Sequence, residues 1–260
     1  MYKIKDVLDY LTSLYPLEHG ASFDQGKIGL QFGSLEDCVK KAIVCLDITN
    51  KVIDEAIEVG ANLIISHHPF MFSPLLNLNY DSNFGKKLLK IIQNRINIMA
   101  FHTNYDVGYD GMNDVLARRL GLNNIKYTTI QIDNTSFIRL GECEKTSLKE
   151  YCEVVKRCFE QKTIKVAGNL NKVISKVAIV GGSGSSEFYE ALKTDADVLV
   201  TGQLPHHLGI ETIENGFALI EVSHAIEFYG AEALCEKLKN EFKEIKFGLY
   251  NIEYDPFIIL

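Results

Sequence analysis

The sequence predicts an α/β protein made of two related α/β units with mostly parallel sheets. Three observations carry that reading. Apolar strand-like runs alternate with amphipathic helix-like segments through most of the 260 residues, the pattern of a largely parallel sheet with helical crossovers. Two stretches echo each other: Ala42 to Ser66 (AIVCLDITNKVIDEAIEVGANLIIS) and Ala178 to Thr201 (AIVGGSGSSEFYEALKTDADVLVT) both run strand, helix, strand and both open Ala-Ile-Val. A chain of this length also exceeds the usual size of one compact domain. The expected division is residues 1–124 as a first unit and 125–260 as a central hairpin and helix followed by a second unit.

Each element has its own signal. Ile4, Val7, Leu8, Leu11 and Leu14 are spaced like one face of a helix. Lys40 to Asp47 reads as a buried strand, Val52 to Val59 as its helix, and Asn62 to Ser66 as the next strand. Phe84 to Arg95 is a second helix, Asn97 to Phe101 a third strand, and Met112 to Leu120 a helix ended by Gly121. Tyr127 to Ile132 and Ser136 to Cys143 form two strands around an Asp133-Asn134 hairpin turn, and Ser147 to Glu160 is an amphipathic helix. The alternation then returns with strand Lys176 to Val180, helix Ser186 to Lys193, strands Val198 to Thr201 and Ala218 to Val222, and helix Ile226 to Phe242.

Composition narrows the function classes. Of the residues, 47% are hydrophobic and 23% charged, the balance of an ordinary globular protein rather than a disordered one. No apolar run approaches the roughly 18 residues of a membrane-spanning helix, and the first residues lack the pattern of an export signal. There are 27 basic and 34 acidic residues, a net charge of −7, and the basic ones are scattered, which argues against a nucleic-acid partner. Six cysteines contain no C-x-x-C pair, so neither a zinc knuckle nor a dithiol redox motif is present, and a reducing cytoplasm is the expected location.

The histidines are where chemistry concentrates. Ser66-His67-His68-Pro69-Phe70 directly follows the apolar run Leu63-Ile64-Ile65, and Pro69 stops the strand. His102-Thr103-Asn104-Tyr105-Asp106 follows another strand, and His224-Ala225-Ile226-Glu227 a third. Ligands of parallel α/β sheets bind beyond the carboxyl ends of strands. Each cluster alone reads better as an ordinary histidine with an acid nearby. Together they offer about four imidazoles and two carboxylates, a donor set suited to zinc, iron, manganese, cobalt or nickel. That exceeds what one tetrahedral ion needs, and Glu227 could bridge two ions, so the constellation points to a dinuclear site. Gly181-Gly182-Ser183-Gly184 could cradle an anion, but it matches no full phosphate-loop pattern and reads better as a tight turn. His206-His207, after Pro205, lie no nearer than the surroundings of such a site.

Ile65 to Phe70, His102 to Asp106 with Gly111-Met112-Asn113-Asp114, and His224 to Glu227 closely resemble the Nif-three-like family of dinuclear metal proteins, whose members are commonly named GTP cyclohydrolase 1 type 2 homologues. Leu46-Asp47-Ile48-Thr49, Gly181 to Gly184 and Thr201-Gly202 extend the resemblance over nearly the whole chain. It implies a toroidal homohexamer of two-domain subunits, with a metal site in the cleft between the two units. By motif the ligands would be His67, His68, Asp106, His224 and Glu227, with Glu227 bridging two divalent ions per subunit and His102 close by as a possible proton shuttle. The sequence departs from the family pattern at Gln25 to Leu30, where a Trp-Asp-Asn-x-Gly-Leu stretch is blurred, at Gln203, usually acidic, and at Ser223, usually glycine.

Two functions of different class follow. The resemblance suggests a metal-dependent hydrolase that turns an activated water on a nucleotide or related phosphorylated small molecule. The same exposed donors suit a protein that stores, carries or inserts divalent metal, and a third reading leaves the metals a purely structural role.

Overall fold

The computed structural model describes residues 1–128, 136–251 and 255–259. They form two compact units, residues 1–109 with 231–251 and residues 110–230 with 255–259. This grouping differs from a single boundary near residue 124, because the chain returns to its first unit through its last long helix.

The first unit opens with α1 (Ile4–Leu14), which buries Ile4, Val7 and Leu11. Then come β1 (Gly29–Phe32), β2 (Lys41–Cys45), α2 (Asn50–Val59), β3 (Leu63–Ser66), α3 (Asn83–Gln93), β4 (Asn97–Ala100) and the short α4 (Thr103–Val107). The Thr49 hydroxyl caps α2 by accepting from the Val52 N–H, and Gly60 ends it in the left-handed conformation (φ +71°) that glycine adopts without a Cβ penalty. Between them lie Val52, Ile53 and Ala56, packed on Ile43, Ile64 and Ile98 of the sheet. Strands β3 and β4 are buried along their whole length, as expected where helices cover a parallel sheet.

The second unit begins with α5 (Met112–Arg119), β5 (Asn123–Tyr127) and β6 (Arg139–Ser147). β5 ends at Tyr127, where the expected strand Tyr127 to Ile132 begins; residues 129–132 of that strand and the turn expected at Asp133-Asn134 lie outside the described residues. α6 (Leu148–Cys158) carries a capping box in which Ser147 and Glu150 satisfy each other's backbone N–H groups. β7 (Lys165–Ala167), β8 (Val173–Ser183), α7 (Phe188–Leu192), β9 (Val198–Gln203), α8 (His206–Glu214) and β10 (Leu219–Glu221) follow. The helix expected from Ile226 starts as a 3₁₀ turn, His224–Glu227, and continues as α9 (Phe228–Glu241). From Ala231 onward α9 belongs to the first unit, which β11 (Lys246–Leu249) completes.

The first sheet has the order β1-β4-β3-β2-β11. It is parallel except at β1, which runs antiparallel to β4. The second has the order β5-β6-β8-β9-β10-β7 and is mixed: β8, β9 and β10 are parallel and the outer pairings antiparallel. The two sequence echoes are β2-α2-β3 and β8-α7-β9, and in each the two strands are parallel neighbours. Among the described residues no helix is long and apolar enough to cross a membrane.

One buried polar centre ties the second unit together. Arg139 is fully buried, its Nε donating to Asp114 Oδ1 at 2.7 Å and its Nη1 to the Ser136 carbonyl at 2.8 Å. Asp114 Oδ2 accepts from the Tyr127 hydroxyl at 2.8 Å and from the Asp110 N–H at 2.7 Å, and the Arg139 guanidinium stacks 3.8 Å from the Tyr127 ring centroid. Deleting one partner of a buried ion pair strands the other charge, so Arg139→Ala is expected to cost about 3–5 kcal/mol in urea unfolding; a loss below about 1 kcal/mol would show that the pair does not organise this unit.

Glu190 on α7 is 4% exposed. Burial, with repulsion from Glu187, outweighs the opposing influence of Thr128 and Lys193 and pushes its carboxyl up to about 7. A carboxyl raised in the folded state favours folding below its unfolded value and loses that contribution as pH rises through about 7. Glu190→Gln should therefore unfold at higher urea than wild type at pH 8, by at least about 1 kcal/mol, with the difference closing near pH 4.5. An equal difference at both pH values would refute the burial account.

Candidate metal centre

The first unit gathers its histidines at the carboxyl ends of β3 and β4. Past Ser66 the backbone keeps pairing with β2, His67 N–H to the Cys45 carbonyl at 3.1 Å and His68 N–H to the Leu46 carbonyl at 3.0 Å. His102 follows β4, and its carbonyl starts α4 by accepting from the Tyr105 and Asp106 N–H groups at 2.8 and 3.0 Å. That turn brings Asp106, four residues on, back to the same side. The ring centroids of His67, His68 and His102 lie 4.9 to 5.6 Å apart. One ring nitrogen from each falls within 4.8 Å of the others, close enough to hold a metal ion together.

Each imidazole is turned by an oxygen at Nδ1. His67 Nδ1 meets the Phe101 carbonyl at 2.9 Å, His68 Nδ1 meets Asp47 Oδ1 at 2.9 Å, and His102 Nδ1 meets Asp24 Oδ2 at 2.7 Å. These oxygens accept, so Nδ1 carries the proton, and in the neutral ring the lone pair sits on Nε2. Asp24 is fully buried in a 3₁₀ turn, Ser22–Asp24. Burial works against its charge, but hydrogen bonds from His102 and from the Thr103 hydroxyl and N–H hold its carboxyl below the usual range.

The second unit presents His224 and Glu227 on the 3₁₀ turn after β10. Ser223 caps this turn by accepting from the Ala225 N–H at 3.1 Å. His224 Nε2 lies 3.1 Å from Glu227 Oε2, and its Nδ1 lies 3.3 Å from Gln203 Oε1 at the end of β9. The departure at Gln203 thus still supplies an oxygen to the histidine, and the one at Ser223 supplies the cap.

Glycines clear the space around this pair. A Cβ on Gly182, whose φ is +59°, would lie 2.7 Å from Glu227 Oε1 and 3.4 Å from His224 Nε2, and one on Gly202 would lie 2.8 Å from the His224 Cα. β8 continues through Gly181 and Gly182 to Ser183, where these glycines let backbone approach the carboxylate, and the turn into α7 begins only at Gly184. His206 and His207 are exposed at the start of α8, and no candidate metal group among the described residues includes them.

The donor chemistry fits a divalent cation. His67 Nε2 lies 3.6 Å from Asp106 Oδ1, and Asp106 and Glu227 are 8% and 3% exposed. In both units a ring nitrogen thus lies 3.1 to 3.6 Å from an oxygen of a buried carboxylate, a separation at which a shared proton or a cation joins the two groups favourably. Imidazole and carboxylate together suit a transition-metal dication, and an acceptor behind each imidazole is the arrangement that orients a metal-binding histidine and raises its basicity.

Sequence reasoning gave no role to Asp24 or Asp47. Asp47 stood within the recognised Leu46-Asp47-Ile48-Thr49 segment, and Asp24 lies one residue before the blurred stretch, so the signal was position next to a motif, with nothing local to show which imidazole each would reach.

The family model described as Duf34/NIF3 (NGG1p interacting factor 3) matches residues 2–256. A GTP cyclohydrolase 1 type 2 homolog of Clostridium perfringens is 33% identical over 260 residues, covering 98% of each chain. The crystal structure of a Staphylococcus aureus hypothetical protein, SA1388, superimposes with a TM-score of 0.91 at 30% identity over 99% of both chains. A Bacillus cereus protein related to NIF3 shares the fold with a TM-score of 0.92 at 24% identity, covering 100% of this chain and 99% of its own. With a family match that spans nearly all of its length, the chain belongs to the Duf34/NIF3 family.

Proposed function

We propose that this chain binds two divalent metal ions through His67, His68, Asp106, His224 and Glu227, with Glu227 bridging, and that it is a metal-dependent hydrolase acting on a nucleotide or related phosphorylated small molecule. The observation that carries the reading is the repeated pairing of an Nδ1-anchored imidazole with a buried carboxylate at its Nε2. The name carried by the Clostridium perfringens relative suggests the substrate class. A bound divalent ion would supply Lewis acidity and acidify a water toward neutral pH.

The protein's own groups supply the rest. His67, His68 and His224 each turn Nδ1 to an oxygen, which leaves Nε2 as the atom each would offer as a ligand. His102 is 15% exposed at its side chain and anchored on Asp24, which leaves Nε2 as the nitrogen that exchanges a proton with substrate or water. The resemblance also supports a homohexamer, which would show as a mass about six times that of the 29.3 kDa chain. The six free cysteines suit a reducing cytoplasm.

The test is metal analysis of protein purified without chelator, wild type beside Asp106→Ala and Glu227→Ala, with GTP turnover measured on the same samples. About two metals per wild-type chain and a clear loss in both variants are expected; unchanged metal content in the variants would sink the ligand assignment. Metal-dependent turnover that disappears with the metal supports the hydrolase. Metal that binds and exchanges with no turnover, across several refilled ions, would replace that reading with a metal carrier.

A further inference from the structure

We infer that Phe23, Lys27 and Phe72 form a recognition rim beside His102 that takes a ligand with a planar ring and an anionic group, such as a nucleoside phosphate. The inference rests on the reading of this site as one that handles a nucleotide. The Lys27 ammonium lies 4.3 Å from the Phe72 ring centroid and 5.9 Å from that of Phe23. Phe72 in turn stands edge-on to His102, with ring centroids 6.2 Å apart. Phe23 directly precedes Asp24, the residue that anchors His102, so both rings are tied to the imidazole cluster.

Both phenylalanines are half-exposed, at 54% and 50%; Phe23 sits in the 3₁₀ turn Ser22–Asp24, and the loop of Phe72 is tethered. β1 carries a bulge between Leu30 and Phe32, and Gln31 at that bulge reaches the loop that bears Phe72. Its Oε1 accepts from the Phe70 N–H at 2.7 Å, and its Nε2 donates to the Met71 carbonyl at 3.3 Å. Bulges re-aim side chains next to functional sites. Fixed aromatic faces left open to solvent serve for stacking on a planar ring, and an ammonium set against them beside an imidazole cluster favours an anion. One ligand that satisfies both is a base joined to phosphate.

The sequence contains no tryptophan, so Phe23→Trp places a single reporter on the rim of the full-length protein. Its emission is titrated with GTP, guanosine and inorganic triphosphate, in metal-loaded and in chelator-stripped samples whose metal content and molar mass are also measured. GTP is expected to give saturable quenching and to bind more tightly than either fragment. Adding Lys27→Gln or Phe72→Ala should weaken GTP binding about tenfold with metal per chain unchanged. Equal GTP affinity in both variants would overturn the rim, and a change in molar mass with no change in GTP affinity would make this face a self-association surface instead. Metal-loaded protein whose GTP binding ignores Lys27 and Phe72 fails the rim alone, whereas Lys27-dependent GTP binding by protein that holds no metal fails the metal reading alone.

Discussion

A histidine offers its lone pair to a cation only at the ring nitrogen that carries no proton, and in this chain an oxygen makes that choice. His67, His68, His102 and His224 each present Nδ1 to an acceptor, in turn a backbone carbonyl, Asp47, Asp24 and the Gln203 amide oxygen. The consequence is that each ring is held in one orientation, with Nε2 turned away from its anchoring oxygen. Without these acceptors each imidazole would populate two tautomers and rotate about its χ2 angle, and the neighbouring carboxylates would not face a fixed lone pair.

Much of the surrounding fold can be understood as holding those acceptors in place. The Phe101 carbonyl is fixed because Phe101 extends β4, with its N–H on the Ser66 carbonyl at 3.0 Å. Asp24 is pinned by both the N–H and the hydroxyl of Thr103, and the Thr103 oxygen in turn accepts from the Ala21 N–H at 2.9 Å. In the second unit the requirement is for space as well as hydrogen bonds. Gly182 and Gly202 are positions where backbone comes too near Glu227 and His224 for a side chain, so the glycines here make room for a carboxylate and an imidazole.

Apart from the one expected from Tyr127 to Ile132, most of which lies outside the described residues, the strands that sequence reasoning located lie inside the sheets, where burial on both faces demands an unbroken apolar run such as Leu63-Ile64-Ile65. Those it did not locate, β1, β7 and β11, are all edges. An edge strand is short, half-exposed and interrupted by residues such as Gly29, Gln31 and Gly248, so it carries little periodicity to detect. The antiparallel pairings of β8 with β6 and of β10 with β7 were hidden for a different reason: strand direction is set by how the chain returns, which a strand's own residues do not encode.

The sequence by itself determined the residue types and their placement after strands: His102 with Asp106 and His224 with Glu227 are a turn apart, so spacing alone puts each pair on one side of its own element, and His67-His68 leave a strand that Pro69 ends. Only the tertiary structure decided which oxygen stands behind each imidazole, because His102 and Asp24 are 78 residues apart and His68 and Asp47 are 21 apart. Such pairings depend on which strands become neighbours and on where a bulge or a 3₁₀ turn aims a side chain. Local spacing reports what one element presents, while the partner that fixes a proton on a ring nitrogen comes from packing between distant segments.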